Sequence, residues 1–107
     1  MRSLRFIVEN QKITRDPLCD FSGLVAGTEG YLRAEFLFSK EWDGFTKVAA
    51  FWGLGRECPP KILDSRNSCV IPAEALRWTS FDVGVIGKRN NLILKTGREK
   101  VFQERGV

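Results

Sequence analysis

The residue types that carry most enzymatic chemistry are scarce or widely spaced in this chain. Histidine is absent, which excludes Ser-His and Cys-His nucleophile pairs, histidine metal sites and the commonest general base near neutral pH. Paired carboxylates remain possible in principle, since two Asp or Glu residues can hydrolyse a glycoside. The candidates are scattered through turns and alternating segments with no outstanding pair: Glu29, Glu35, Glu41, Asp43, Glu57, Asp64, Glu74 and Asp82. We therefore predict that the protein is not an enzyme.

Metal and cofactor sites have no better support. Cys19, Cys58 and Cys69 lack the C-x-x-C spacing of a zinc site. Reduced, partly buried thiols are expected, with a Cys58 to Cys69 bridge across adjacent strands as the alternative. The "GLG" at 53–55 does not fit the G-x-x-x-x-G-K-[ST] phosphate loop. The sequence thus predicts no metal and no cofactor.

Binding chemistry is better represented, because the net charge of +4 arises in the second half of the chain. Residues 1–53 hold seven basic and seven acidic side chains, whereas residues 54–107 hold ten and six. The candidate binding residues in the last hairpins are Lys88, Arg89, Lys95, Arg98 and Lys100, followed by Arg105. If these strands are neighbours, they form a basic edge or face. Such a face is a solvated edge protected against aggregation, or contacts an acidic protein surface or nucleic acid.

Aromatic residues bear on which of these partners is expected. Nucleic acid is disfavoured, because the basic segment lacks interleaved exposed aromatic residues and Phe102 is expected in the core. Trp78 is added to the candidate binding residues. A carbohydrate-binding module would use Trp42, Trp52 and Trp78 as stacking platforms, and would need at least two of them exposed on one face.

The elements that must position these residues are almost all strands. Strict alternation places Leu4, Phe6 and Val8 on one face of the first segment. Turn signals at short intervals separate the following predicted strands: 4–9, 31–38, 46–52, 61–63, 68–71, 81–87, 91–95 and 99–103. "PAEAL" predicts one short helical turn near 72–77. With 107 residues and 43% apolar content, we predict a single domain spanning 1–107. Its fold class is an all-β antiparallel sandwich, immunoglobulin-like or jelly-roll-like, of about seven to nine strands.

The segment "FSKEWDGFTKVAAFW" concentrates aromatic residues around an Asp-Gly pair. Asp43 and Gly44 indicate a tight turn with positive φ at the glycine. Trp42 is placed to fold over the open end of the sandwich and become buried, with an exposed recognition residue as the alternative. The core is expected to contain these residues: Phe6, Leu32, Phe36, Phe38, Phe51, Val83 and Val85.

Several segments also carry a resemblance to a known family. The stretches "NQKITR", "YLRAEFLFSKEWDGFTKVAAF", "CVIPAEAL" and "FDVGVIG" resemble, in the same order, the N-terminal β-sandwich of baseplate upper and tail-fibre proteins from phages of Gram-positive bacteria. The F-S-x-E-W-D-G core is the most specific part of this resemblance. Members of that family continue into coiled-coil and receptor-binding regions, whereas this sequence ends at Val107. We therefore expect a stand-alone copy that keeps an attachment or assembly role.

Three functions remain open from the sequence. The first is a virion accessory protein of a phage or prophage, in the tail, baseplate or head, that attaches to other proteins. The alternatives are a phage-encoded inhibitor of a host defence protein and a carbohydrate-binding module. The expected partner is a phage structural protein or a host protein, and a second copy of the chain is a further candidate. The first residues lack an apolar signal core and no stretch is long enough to span a membrane, so the virion or the host cytoplasm is the expected location.

Overall fold

The computed structural model describes residues 1–107 and contains ten strands and one α-helical turn. Two strands, β5 and β6, are only two residues long. The strands are β1 (Arg2–Glu9), β2 (Lys12–Arg15), β3 (Leu32–Phe38), β4 (Thr46–Gly53), β5 (Arg56–Glu57), β6 (Lys61–Ile62), β7 (Ser68–Val70), β8 (Ser80–Arg89), β9 (Leu92–Lys95) and β10 (Glu99–Phe102). The helical turn α1 spans Ala73–Leu76, inside the predicted 72–77.

The strands form two sheets. The first sheet has the order β2-β1-β3-β7, and the second has the order β10-β8-β4-β5, with β6 also paired to β4 and β9 to β8. The predicted all-β sandwich is confirmed. The antiparallel prediction holds for every strand pair except one, because β1 and β3 run parallel. A parallel pair requires a long connection, and residues 10–31 supply it, with the hairpin strand β2 inside them.

The hydrophobic core lies between the two sheets and consists of one cluster of 20 buried residues. The predicted core residues Phe6, Phe36 and Phe51 are almost fully buried, as are Leu32, Val83 and Val85. The prediction that Phe38 is a core residue was wrong. Phe38 is only partly buried, at the end of β3, where its ring packs against the core.

The prediction that Phe102 lies in the core was also wrong. Its side chain is 65% exposed, whereas its neighbour Val101 is fully buried. Alternation along a strand permits only one of two adjacent residues to face the core. The apolar pair Val101-Phe102 left that choice open, and the structure assigns the inward position to the smaller residue.

The turn after β3 carries the chain from the first sheet to the second. A short 3-10 helix over Lys40–Trp42 is followed by Asp43 with φ −61° and ψ 133° and by Gly44 with φ 80°. The Phe45 N–H donates to the Trp42 carbonyl over 3.2 Å. These values define a type II turn, in which glycine accommodates the positive φ.

Trp42 is fully buried at this end of the sandwich, as the sequence predicted. Its indole Nε1–H donates to the Asn10 carbonyl over 2.7 Å, which ties it to the first sheet. On the other side the ring packs on Gly87 of β8, where an added Cβ would lie 2.9 Å from Trp42 Cζ3. One side chain thus bridges both sheets.

The molecule contains no helix that combines the length and apolar character needed to span a membrane.

Candidate functional site

The outward side of the second sheet carries a row of apolar side chains. Along β8, the inward residues enter the core, so alternation turns Ile86 outward. Its cross-strand partner is Val48 of β4, and Val48 pairs in turn with Ile62 of β6. Cross-strand partners share one face of a sheet. Ile62 is 74% exposed, and Ile93 of β9, also on this face, is 64% exposed.

Cationic residues surround this apolar row. Lys88 lies opposite Ile93, and Lys95 lies opposite Ile86, and both lysines are exposed. Neither takes part in any of the molecule's four ion pairs. We call this surface, defined by Val48, Ile62, Ile86, Ile93, Lys88, Lys95, Arg98 and Lys100, the basic face.

Arg98 lies on the same face, stacked on Trp52. The Arg98 guanidinium carbon is 3.7 Å from the centre of the Trp52 ring, the closest such contact in the molecule. Trp52 is only partly exposed, because the ring lies over β8. Gly84 of β8 lies beneath this ring: an added Cβ would be in ordinary contact with Trp52 Cζ3 at 3.6 Å, but would crowd the Gly97 carbonyl oxygen at 3.0 Å.

The acidic residues of this region do not cancel its charge. Lys100 Nζ lies 3.2 Å from Asp82 Oδ1, which pairs two charges at the edge of the face. Glu57, the cross-strand neighbour of Trp52, is the other carboxylate there. Lys88, Lys95 and Arg98 therefore leave the basic face with a net positive charge.

The remaining predicted binding residues lie elsewhere. Arg89 turns to the opposite side of β8, where its guanidinium stacks 4.7 Å from the centre of the Phe45 ring and donates to the Asp43 carbonyl over 3.2 Å. Arg89 thus stabilises the turn at Asp43 and Gly44. Trp78 precedes β8, whereas Lys88 is near the end of that ten-residue strand; at about 3.3 Å per residue, Trp78 is roughly 30 Å away.

Trp78 borders a separate surface depression of about 240 Å³. Its lining includes Gly53, Arg56, Glu74 and Arg77. Trp78 is 39% exposed, and its indole edge packs so closely on Gly53 that an added Cβ would lie 2.8 Å from Trp78 Nε1. Since Gly53 and Trp52 are adjacent in β4, Trp78 and Trp52 lie on opposite sides of the sheet.

Two of the three thiols, those of Cys58 and Cys69, are buried. All three cysteines are free, so the alternative of a Cys58 to Cys69 bridge is absent. Burial raises the pKa of both Cys58 and Cys69, the latter to about 11. Both are neutral thiols at physiological pH. No group of three or more Cys, Asp or Glu side chains is arranged to hold a metal ion.

Sequence reasoning found the cations of the basic face and missed its apolar row. The signal was present in "KVAAFW" and "FDVGVIG", where Val48 and Ile86 alternate with core residues. Both segments are apolar on both sides, which is typical of a central strand and does not say that one side is exposed. Trp52 was considered only as a sugar platform, because its contact with Arg98 joins residues far apart in sequence.

No model of a known protein family matches the sequence, and no curated protein matches it.

Proposed function

We propose that this protein is a non-catalytic attachment module that docks an acidic protein surface on its basic face. The single observation that carries this proposal is the apolar row Ile62, Val48, Ile86 and Ile93, in which Ile62 and Ile93 are exposed and Val48 and Ile86 are half-buried. It is bordered by Lys88 and Lys95, which form no ion pair within the chain. Interfaces combine a desolvated apolar centre with a polar rim, and opposite charge steers the encounter.

The row of aliphatic side chains favours protein over nucleic acid. Covering aliphatic groups with a partner's apolar surface makes binding more favourable. A phosphate backbone offers charge and no such apolar surface. The exposed Phe102 adds one aromatic residue near Lys100, so nucleic acid is retained as an outcome of the test.

The charge of the face disfavours a second copy of the chain seated on the same surface. A two-fold interface brings the same patch of both copies together. The cations of one copy would then face the cations of the other, and like charges are destabilising in a desolvated interface. An acidic partner removes this repulsion and explains why the cations remain free of partners within the chain.

The biological setting that we propose is a phage particle, with the protein as an accessory of the tail, baseplate or head. Its support is the resemblance of the F-S-x-E-W-D-G segment to phage attachment domains, together with the sandwich fold. A host defence protein would use the same face, so inhibition is distinguished by the partner's identity. The carbohydrate module has less support, because Trp42 is buried and Arg98 covers Trp52.

The test compares three tagged proteins in lysates of phage-infected cells: wild type, Ile93→Glu and Leu37→Glu. Ile93→Glu places a carboxylate in the basic face. Leu37→Glu is the matched control, since Leu37 is 52% exposed on the outward side of the first sheet. We expect wild type and Leu37→Glu to capture the same acidic protein and Ile93→Glu to lose it.

Captured proteins are identified by mass spectrometry, purified and titrated by calorimetry at two salt concentrations. A virion structural protein whose affinity falls with salt supports the whole proposal. A host nuclease or immune protein with the same dependence on Ile93 supports the face and replaces the virion role with inhibition. Equal capture by all three proteins, or retention on nucleic acid or cell-wall glycan alone, overturns the docking proposal.

A further inference from the structure

Arg98 differs from the arginines that the fold uses internally. Arg5, Arg15 and Arg33 each lie within 4 Å of a carboxylate, at 3.4, 3.7 and 3.0 Å. None of the molecule's ion pairs involves Arg98, although it is held in place by the 3.7 Å stack on Trp52. It is therefore a positioned cation with no carboxylate of the chain within 4 Å.

The stack is supported from beneath by the backbone of β8. Gly84 has no side chain, so the Gly97 carbonyl can approach the strand closely, and the Trp52 ring lies over the same glycine. The same short loop, Thr96 to Arg98, is fastened to β8: the Val85 N–H donates to Thr96 Oγ1 over 2.9 Å, and the Thr96 N–H donates to the Val85 carbonyl over 3.0 Å. Arg98 thus extends from an anchored loop.

Stacking on an aromatic ring leaves the edge of a guanidinium available. The planar group uses its face for the ring and keeps its N–H donors in the plane, where they match the two oxygens of a carboxylate. Because the ring already restricts the side chain, binding such a group loses less conformational entropy than it would at a mobile arginine. Trp and Arg are also the residues that most often dominate binding energy in interfaces.

We infer that Arg98, oriented by Trp52, is the carboxylate-binding anchor of the basic face. The recognised group is a carboxylate of the partner, from an Asp or Glu side chain or from a chain terminus. This inference rests on the proposed docking function and specifies its chemistry: Lys88 and Lys95 attract the partner over distance, and Arg98 fixes its register.

The test uses short peptides as probes, so that it does not depend on knowing the partner. The first probe is hexaglutamate with acetyl and amide ends, which has only side-chain carboxylates. The second is a Ser-Gly hexapeptide with an acetylated N-terminus and a free C-terminus, whose terminal carboxylate is its single charge. We expect at least one probe to shift the Arg98 Nε–H and Trp52 Nε1–H resonances saturably, and the responding probe identifies the source of the carboxylate.

Two variants separate geometry from charge. Arg98→Lys keeps the charge and loses the planar fork, so we expect roughly tenfold weaker binding. Trp52→Leu removes no charge, yet should also weaken binding because Arg98 loses its support. Arg105→Lys is the matched control and should bind as wild type. Thermal melts establish that each variant is folded.

The outcomes distinguish this inference from the proposed function. Wild-type affinity in Arg98→Lys, or no shift of either resonance with both probes, overturns the anchor. If Arg98→Lys binds with wild-type affinity the same protein that Ile93→Glu loses, the docking face stands and the anchor fails. If the probes bind through Arg98 but no partner depends on Ile93, the anchor stands and the proposed function fails.

Discussion

The outward faces of the two sheets use charge differently. On the first sheet, Arg33 Nη2 lies 3.0 Å from Asp64 Oδ2 and its Nε–H donates to Ser68 Oγ over 3.0 Å. Arg5 lies 3.4 Å from Asp16 and beside Glu35 in the register of β1 and β3. On the basic face of the second sheet, only Lys100 has an acidic partner within the chain.

The apolar content of the two faces differs as well. The first sheet shows one outward apolar pair, Ile7 opposite Leu37, within a charge-balanced surface. The second sheet shows a row that runs across β6, β4 and β8. We call the outward surface of the first sheet, defined by Arg5, Ile7, Arg33, Glu35 and Leu37, the balanced face. Its arginines have carboxylate partners within the chain, so it needs no other molecule to neutralise them. The basic face combines exposed apolar area with unneutralised charge, which is typical of a surface that another molecule covers.

The largest expected effect comes from removing Trp42, whose side chain contacts both sheets. Trp42→Ala removes a fully buried indole that contacts both sheets, so we expect a loss of roughly 3–5 kcal/mol in the free energy of unfolding. The measurement is urea denaturation followed by circular dichroism. Trp42→Phe is the milder variant, which keeps most of the ring volume and loses the hydrogen bond to the Asn10 carbonyl.

Because Trp42 bridges the sheets, its removal should weaken both faces together. Hydrogen exchange tests this directly: in Trp42→Ala, amides of β3 and β8 should lose protection to similar extents. Protection that persists in β8 while β3 exchanges freely would show that the sheets unfold independently, and the two faces would then not share one core.

A smaller effect is expected from a change that touches the basic face alone. A Cβ at Gly84 would lie 3.0 Å from the Gly97 carbonyl oxygen and 3.6 Å from Trp52. Gly84→Val therefore forces the 96–98 loop away from β8 and places two further methyl groups against the indole, at a cost of about 1–3 kcal/mol. Gly97→Ala is the matched control in the same loop, since an added Cβ there meets nothing within 4 Å.

The readout is a thermal melt together with the Trp52 indole resonance. We expect Gly84→Val to shift that resonance and lower the melting temperature, with the amide resonances of β1 and β3 unchanged. A valine tolerated without either change would mean that Trp52 does not lie over Gly84.

The sequence predicted the strands and most of the core because those depend on local alternation. Phe6 and Phe36 occupy inward positions of clearly alternating strands, and their burial could be deduced. The parallel pairing of β1 with β3 could not, because it depends on which strands meet after a long connection. The strand Lys12–Arg15 was not predicted, because a segment of four residues is too short to show a clear alternation of apolar and polar side chains.

The candidate site was predictable only in part, for the same reason. The cations at 88–100 are close in sequence, so their clustering on neighbouring strands was foreseeable. Arg89 was assigned to that cluster, yet alternation along β8 turns it towards Phe45. The stack of Arg98 on Trp52 joins residues 46 positions apart, and no local pattern encodes a contact of that kind.

The smallest expected effect is the contribution of Cys69, in the first sheet, to the pH dependence of the free energy of unfolding. Cys69 of β7 is 6% exposed, and burial raises its pKa from 9.0 to about 11. Well below pH 9 the thiol is neutral in both the folded and the unfolded chain and contributes no pH dependence. As the pH rises from 9 towards 11, the unfolded chain ionises first, so the free energy of unfolding falls.

Lysine and tyrosine side chains titrate in the same range, so the comparison is between wild type and Cys69→Ala. We expect the free energy of unfolding of wild type to fall between pH 8 and pH 10 by on the order of 1 kcal/mol more than that of Cys69→Ala. Val70→Ala, which shortens the neighbouring side chain of β7 and removes no titratable group, should keep the wild-type dependence. Equal slopes of the free energy of unfolding against pH in wild type and Cys69→Ala would contradict this prediction. They would show that water reaches Cys69, so that burial does not raise its pKa.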